Sequence, residues 1–209
     1  SLAGQSVHCS VIWQEEEGWD GNSMAKFTKK AILLGFLEIL KSKPLDKITV
    51  KDICEFCEIN RNTFYYYFEN IYDTLAALFE MEADKVLKES DKETATFQEE
   101  YARSTAIVLN NRQAILHIYR SKDGTVLRSY LELVVKDFVR RFVKKAADSH
   151  SVTDKDIEYI TDFYSYAIVG NTMHWIENGF TSNRDNFIKR ISASFEYTIQ
   201  DMLKAAESN

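Results

Sequence analysis

The scarcity of residues that break helices is the feature that most constrains this chain. Its 209 residues include seven glycines and a single proline, Pro44. A β-sandwich or barrel needs turn-forming residues about every 8–12 positions, far more than this chain has. Apolar residues instead recur every three or four positions over long stretches, which is the period of an amphipathic helix. The sequence therefore predicts an all-α protein, with about nine helices in total.

The boundaries of these helices follow from local signals. Lys43-Pro44 ends the first helix, because a residue before proline is pushed out of the α conformation. Thr49 with Asp52 has the pattern of a capping box, and Asn60 and Asn70 are good N-caps. Gly179 follows a predicted helix at a position that needs a left-handed residue. The predicted helices cover residues 26–41, a short segment after Thr49, 61–68, about 72–88, 95–110, 112–120, 123–147, 153–178 and 184–206.

Charge and periodicity divide the chain into three parts. Residues 1–23 contain four acidic and no basic residues and lack a helical period, so we interpret them as an arm or leader without a function. Residues 24–88 include the only long basic stretch, 26–67, which has eight basic and five acidic residues. A polar run at its end marks the boundary. We therefore predict a small N-terminal helical unit over 24–88 and a larger bundle over 89–209.

The segment from Ile48 to Phe68 has the spacing of a helix-turn-helix, in which a short helix packs across a second helix that can enter the major groove of DNA. The positions predicted to hold the two helices together are Ile53, Cys54, Ile59, Phe64 and Phe68. The side chains predicted to contact DNA can donate to phosphates and base edges. They are Lys47, Thr49 and Lys51 around the first helix and Arg61, Asn62, Thr63, Tyr65, Tyr66 and Tyr67 on the second.

Residues 26–79 resemble the DNA-binding domain of the TetR-type (TetR/AcrR) transcriptional regulators. The resemblance rests on Ile48-Thr49-Val50 before the second helix, on the run from Thr63 to Phe68 that ends the third, and on Asp73-Thr74-Leu75 in the fourth. It implies a cytoplasmic, ligand-responsive regulator, most often a repressor, that binds a palindromic double-stranded operator as a homodimer. The implied effector is an unknown small molecule bound in the C-terminal bundle.

Three positions differ from the usual pattern of this family. Glu58 replaces the common turn glycine, Cys54 stands at the small position of the second helix, and Ile71 replaces a lysine that contacts phosphate. Together with the formal net charge of −6, these differences leave an alternative open. In that alternative the chain is a TetR-like adaptor or co-regulator that works mainly through protein–protein contacts.

Two further sets of residues are predicted in the bundle. Aromatic side chains that can line an effector cavity or form the core are Tyr119, Tyr130, Phe138, Phe142, Phe163 and Tyr166. Apolar stripes on the last two helices predict a dimer interface, with a face turned towards the chain's own core as the alternative. These stripes comprise Ile157, Ile160, Tyr164, Ile168, Trp175, Phe187, Ile191, Phe195 and Met202.

Other functional classes find little support. Cys54 and Cys57 form a C-x-x-C, but on a helix both face the packed side, so we interpret them as core residues rather than as a metal or redox site. The histidines have no metal-like spacing, and we predict no cofactor. Catalytic motifs such as G-x-S-x-G and H-E-x-x-H do not occur, so we expect no enzymatic activity. The odd number of cysteines fits a reducing, cytoplasmic compartment, and we expect no membrane partner.

Overall fold

The computed structural model of the protein describes residues 21–89, 96–122 and 124–207, with the backbone alone for 21–24 and 89. These residues form nine α-helices and one 3-10 turn, Leu45–Lys47, and contain no β-strand. The helices are α1 (Gly21–Ser42), α2 (Val50–Phe56), α3 (Arg61–Tyr67), α4 (Ile71–Glu89), α5 (Phe97–Asn110), α6 (Arg112–Tyr119), α7 (Thr125–Ala147), α8 (Asp154–Glu177) and α9 (Arg184–Glu207). The all-α prediction is confirmed. Within the described ranges, we find no helix that is both long and apolar enough to cross a bilayer.

The start of α1 corrects one predicted boundary. The helix begins at Gly21, so residues 21–23, predicted as part of the arm, are helical. Residues 1–20 of that arm lie outside the described part of the chain, as does most of the polar run predicted to separate the two units. Gly179 has the predicted left-handed backbone, with φ of 64°.

Capping boxes determine where three helices begin. Thr49, Thr96 and Thr153 each accept a hydrogen bond from the backbone N–H three residues later, at the start of α2, α5 and α8 respectively. In each case the acidic side chain at that third position accepts a bond from the threonine's own N–H. A capping box satisfies two of the N–H groups that a helix start leaves unpaired, which explains why these boundaries can be recognised in the sequence.

The N-terminal unit is formed by α1, α2 and α3 and the first turns of α4. Phe36 of α1, Ile53 of α2 and Phe64 of α3 are fully buried at its centre. Gly35 permits the close approach of α1 and α2, because a Cβ atom there would overlap Sγ of Cys57. Thus α3 packs against a small hydrophobic core that fixes its position.

The bundle formed by α5 to α9 has an aromatic core. Phe97 of α5 stacks on Phe195 of α9 with ring centroids 4.1 Å apart, and it also contacts Phe138 of α7. The buried hydroxyls of Tyr101 and Thr172 are 3.1 Å apart and share a hydrogen bond. Large aromatic side chains in direct contact fill space efficiently, so this part of the interior is densely packed.

Two contacts join the unit to the bundle. The helix α4 continues from the unit into the bundle, where the ring of Phe79 stacks on Tyr130 of α7 with centroids 4.7 Å apart. The second contact is the packing of α6 along α1. Together they connect the helix-turn-helix to the C-terminal bundle.

Candidate nucleic-acid interface

The start of α2 is held by a compact polar cluster. The Thr49 hydroxyl accepts a hydrogen bond from the N–H of Asp52 at 3.2 Å, and the Thr49 N–H donates to the Asp52 carboxylate at 2.7 Å. The Lys43 ammonium lies 2.8 Å from the same carboxylate. The hydrogen bond from Lys43, followed by that from Thr49, lowers the pKa of Asp52 from 3.8 to about 2. The first turn of α2 therefore has a defined position on the surface.

The turn between α2 and α3 has a left-handed residue. Glu58 has φ of 54°, and the following residue, Ile59, donates its N–H to the carbonyl of Cys54 at 3.0 Å. This six-to-one bond is the signature of a Schellman C-cap, whose C′ position usually belongs to glycine. Glu58 thus adopts the backbone of the turn glycine that it replaces.

The helix α3 presents polar and aromatic side chains to solvent. Asn60 caps it by accepting a hydrogen bond from the Thr63 N–H at 2.8 Å, while Phe64 is buried against the rest of the unit. Arg61 and Asn62 are exposed at its start. Further along, Tyr65 and Tyr66 are 55% and 77% exposed, which is high for tyrosine side chains on a helix. This face has the donors and the flat apolar groups that contact bases and phosphates.

The other predicted DNA contacts differ in accessibility. Tyr67 is half-buried and meets the ring of Tyr66 edge-on, with centroids 4.8 Å apart. The Thr63 hydroxyl is half-buried and donates to Asn60 Oδ1 at 3.2 Å. Lys47, Thr49 and Lys51 are exposed around the start of α2, where Lys51 lies 3.5 Å from Glu55. Seven of the nine predicted side chains are therefore exposed, and Thr63 and Tyr67 are half-buried.

Tyr72 is an exposed residue near this surface that sequence reasoning did not identify. Asn70 caps α4 by accepting hydrogen bonds from the N–H groups of Tyr72 and Asp73 at 2.8 and 3.0 Å. In this first turn Ile71 is half-buried and Tyr72 is exposed. The position next to the missing lysine therefore offers a phenol that can donate to phosphate. The sequence signal that could have identified Tyr72 is the Asn70 N-cap, because it places Tyr72 in the first turn of α4.

The C-x-x-C cysteines lie behind this face. Cys54 and Cys57 are both buried, and Cys57 Sγ lies 4.0 Å from the carbonyl oxygen of Ala31 in α1. Burial raises the pKa of the Cys54 thiol, so this thiol is neutral at physiological pH. Both side chains act as small packing groups in the core of the unit.

The six aromatic residues predicted to line an effector cavity do not lie together. Phe138 and Phe142 pack against Phe97 in the bundle core. Phe163 and Tyr166 point outward from α8, 51% and 64% exposed, so they cannot line the interior of their own chain. Tyr119 and Tyr130 line different depressions. The cause is helix periodicity, which places residues three apart on α8 on a face that the bundle does not cover.

Tyr130 borders an apolar cleft at the junction of the two units. Its walls are formed by α1, α4, α5, α6 and α7, and include Leu37, Leu78, Glu82, Ile115 and Ile118. The free space is about 30 Å³, which is room for one water molecule. Burial and the nearby Glu82 carboxylate raise the pKa of Tyr130 to about 12.

The residues predicted to form a dimer interface on α8 and α9 pack against the chain's own bundle. The structure buries Ile160, Tyr164, Ile168, Trp175 and Phe195 inside the chain's own bundle. The rest, Ile157, Phe187, Ile191 and Met202, are half-buried against the same core. Among the described residues of these two helices, the large apolar groups left exposed are Tyr159, Phe163 and Tyr166 on α8 and Tyr197 on α9. This burial fits the alternative interpretation, in which the apolar stripes of α8 and α9 face the chain's own core.

The nine described helices and the exposed α3 have the arrangement of a helix-turn-helix protein with a C-terminal helical bundle. A family described as Transcriptional regulator C-terminal region matches residues 95–197. The chain is 32% identical over 63 residues to the HTH-type dhaKLM operon transcriptional activator DhaS of Lactococcus lactis subsp. lactis (strain IL1403). This match spans 30% of the chain and about a third, 34%, of that relative's length.

The solved structures include a similar fold. The structure of the Dihydroxyacetone kinase operon activator DhaS superposes with a TM-score of 0.65 at 19% identity, covering 86% of this chain and 98% of that one. These matches support the resemblance of residues 26–79 to the TetR-type transcriptional regulators.

Proposed function

We propose that this regulator binds a palindromic DNA operator as a homodimer and reads it with α3. The observation that carries the proposal is the division of α3 into a buried side, with Phe64, and an exposed side with Arg61, Asn62, Tyr65 and Tyr66. A helix-turn-helix inserts this side of its second helix into the major groove. The exposed lysines around the start of α2 are suited to the flanking phosphates.

A mobility-shift assay with fragments of the surrounding genome tests this proposal. We expect binding that weakens steeply with salt, because neutralising phosphates releases counterions. Arg61→Ala and Tyr65→Ala should each lose specific binding, by about 1–3 kcal/mol for one good base contact. The matched control is Arg120→Ala, which removes an exposed arginine at the end of α6. Unchanged affinity in both α3 variants would exclude this docking.

We propose the exposed aromatic face of α8 and α9, defined as Tyr159, Phe163, Tyr166, Gly170 and Tyr197, as the homodimer interface. Gly170 supports this choice, because a glycine within a 24-residue helix costs roughly 1 kcal/mol relative to alanine. A Cβ at Gly170 would meet nothing within 4 Å in its own chain. Close approach of a second helix explains the glycine, and a two-fold axis would pair this face with its copy.

Light scattering at low micromolar concentration tests the dimer. We expect a mass of two chains for the wild type and a loss of mass for Tyr166→Glu, which places a charge in the exposed aromatic face. Leu133→Glu is the matched control, since Leu133 is 56% exposed on α7, outside that face. A single-chain mass for the wild type would remove both the dimer and the palindromic operator.

The proposed effector is a small molecule that binds at the cleft bordered by Tyr130. Ligand sites usually have several hundred cubic ångströms of space, so occupation of this cleft requires α6 to move away from α1 and α4. Such a movement would change the orientation of α3 and hence the affinity for DNA. Thermal stabilisation of the purified protein by a compound library, compared with Tyr130→Ala, tests this site.

We infer repression in the cytoplasm, without enzymatic activity, as the output of operator binding. A reporter under the bound promoter should be less active when the regulator is present. DhaS is named as an operon activator, which supports activation instead of repression. The same reporter would detect activation as an increase in its activity. The small free space in the cleft bordered by Tyr130 favours the alternative, a co-regulator that responds to a protein partner. In that case, reporter activity would change only when the partner is co-expressed.

A further inference from the structure

The carbonyl of Leu40 lacks its usual partner within α1. In a helix this carbonyl would accept a hydrogen bond from the N–H of residue 44. Residue 44 is Pro44, which has no N–H. The preceding carbonyl, that of Ile39, is satisfied by Lys43 N–H at 2.9 Å and by the Ser42 hydroxyl at 3.1 Å. Leu40 is fully buried, so its carbonyl needs a donor from another part of the chain.

That donor is His117 in the last turn of α6. Its Nδ1 atom lies 2.7 Å from the Leu40 carbonyl oxygen, a short distance for this type of bond. A carbonyl oxygen only accepts hydrogen bonds, so Nδ1 must carry the proton. The bond joins a helix of the bundle to the end of the helix on which α2 and α3 are packed.

Apolar side chains of both helices also lie close together. Leu37 of α1 and Ile115 and Ile118 of α6 border the same cleft as Leu78 of α4. Burial of apolar surface is not directional, so contacts of this kind tolerate sliding of one helix along another. A hydrogen bond has narrow limits of distance and angle. The bond from His117 therefore defines the position of α1 relative to α6 more sharply than the neighbouring side chains do.

We propose that His117 is a positioning residue, which sets the orientation of the helix-turn-helix on the bundle through the Leu40 carbonyl. Breaking this bond frees α1 to shift along α6 and reduces the population of the orientation that binds DNA. The apparent affinity falls in proportion to that population. The consequence for DNA rests on the proposed function, whereas the link between α1 and α6 does not.

Four variants test whether His117 positions α1 or only provides a hydrogen-bond donor for the Leu40 carbonyl. His117→Leu removes the donor. His117→Asn keeps a donor, since the amide Nδ2 occupies nearly the place of the imidazole Nδ1. His117→Leu combined with Pro44→Ala gives Leu40 a donor within α1 but leaves α1 unlinked to α6. Gln113→Leu is the matched control, because Gln113 is exposed on α6 itself.

Three measurements are made on each full-length variant: the unfolding temperature, the hydrogen exchange of the segments 37–45 and 112–119, and the affinity for DNA. His117→Leu should lower the unfolding temperature, speed exchange in 112–119 and weaken DNA binding roughly fivefold, the factor for one hydrogen bond of average net strength. His117→Asn and Gln113→Leu should resemble the wild type. The double variant should regain thermal stability but neither the slow exchange of 112–119 nor the DNA affinity.

Opposite results overturn the proposal. Full recovery of DNA affinity in the double variant would show that His117 only satisfies the buried Leu40 carbonyl and does not position α1. Equal losses in His117→Asn and His117→Leu would show that the donor has no part in the effect, even if the double variant does not refold. If the wild type binds no DNA, the proposed function fails, while unchanged exchange in His117→Leu would independently refute the link.

Discussion

Replacing Glu58 by glycine should stabilise the protein, although it deletes a charged surface side chain. Glu58 has φ of 54° at the end of α2, where the Ile59 N–H donates to the Cys54 carbonyl. An L-residue in this conformation brings its Cβ too close to the following carbonyl oxygen, and glycine has no such clash. The exposed position of the side chain means that little packing is lost.

The size of the effect follows from two opposing contributions. The left-handed conformation costs a residue with a Cβ atom about 1–2 kcal/mol. Glycine has more conformational freedom in the unfolded chain, which costs about 0.4–1 kcal/mol on folding. We therefore expect Glu58→Gly to raise the free energy of unfolding by about 0.8 kcal/mol, the difference between the midpoints of these ranges. For a chain of this length, 1 kcal/mol corresponds to a rise in unfolding temperature of about 2–4 °C.

Unfolding in urea, with the protein concentration held constant, measures this difference. Glu58→Ala is the control, because it removes the same charge but keeps the Cβ atom. Phe180→Gly is a second control at a left-handed residue, with φ of 60°. Phe180 is buried against the Trp175 ring, with centroids 5.1 Å apart, so its loss should destabilise the protein. Equal stability of Glu58→Gly and Glu58→Ala would show that backbone strain is not the cause.

Three other predictions follow from the structure. Gly35→Ala should destabilise the N-terminal unit by roughly 1–3 kcal/mol through overlap with Cys57 Sγ, and Cys57→Ala in the same chain should recover most of this loss in a urea titration. Because the pKa of Asp52 is lowered to about 2, its contribution is present above pH 3.8 and is lost as the pH falls towards 2. Asp52→Asn should therefore flatten the acid side of the stability profile, and an unchanged profile would contradict this assignment. Because the pKa of Tyr130 is raised to about 12, stability should fall as the pH rises from 10 towards 12, and Tyr130→Phe should reduce that fall in alkaline melts.

Most of the fold could be predicted because its boundaries are local. The capping box of Thr49 with Asp52 and the break at Pro44 depend on residues within one or two turns of each other. Such signals act before any tertiary contact forms. The start of α1 at Gly21 was missed because the apolar period begins only at Phe27, and polar residues in a first helical turn leave no periodic signal.

The candidate DNA surface was also predictable, since α3 is short and its buried side is set by Phe64 and Phe68. The effector and dimer residues were not, because they depend on how long helices are rotated against each other. Tyr130 lies in the apolar cleft, whereas Phe163 and Tyr166 point to solvent. Nothing within one helix distinguishes an aromatic residue that meets a neighbouring helix from one that faces away.

The helix α8 has two apolar faces that the sequence pattern cannot tell apart. Residues 160, 164 and 168 are buried in the bundle, and residues 159, 163 and 166 form a second aromatic stripe that is exposed. Both stripes have spacings of three and four, so periodicity cannot rank them. A helix that is apolar on opposite sides is typically covered on both. The chain covers one side of α8 by itself, and the unhindered Gly170 lies on the other, where a second copy of α8 can approach closely. The exposed aromatic stripe and Gly170 are therefore the observations that best support the proposed homodimer.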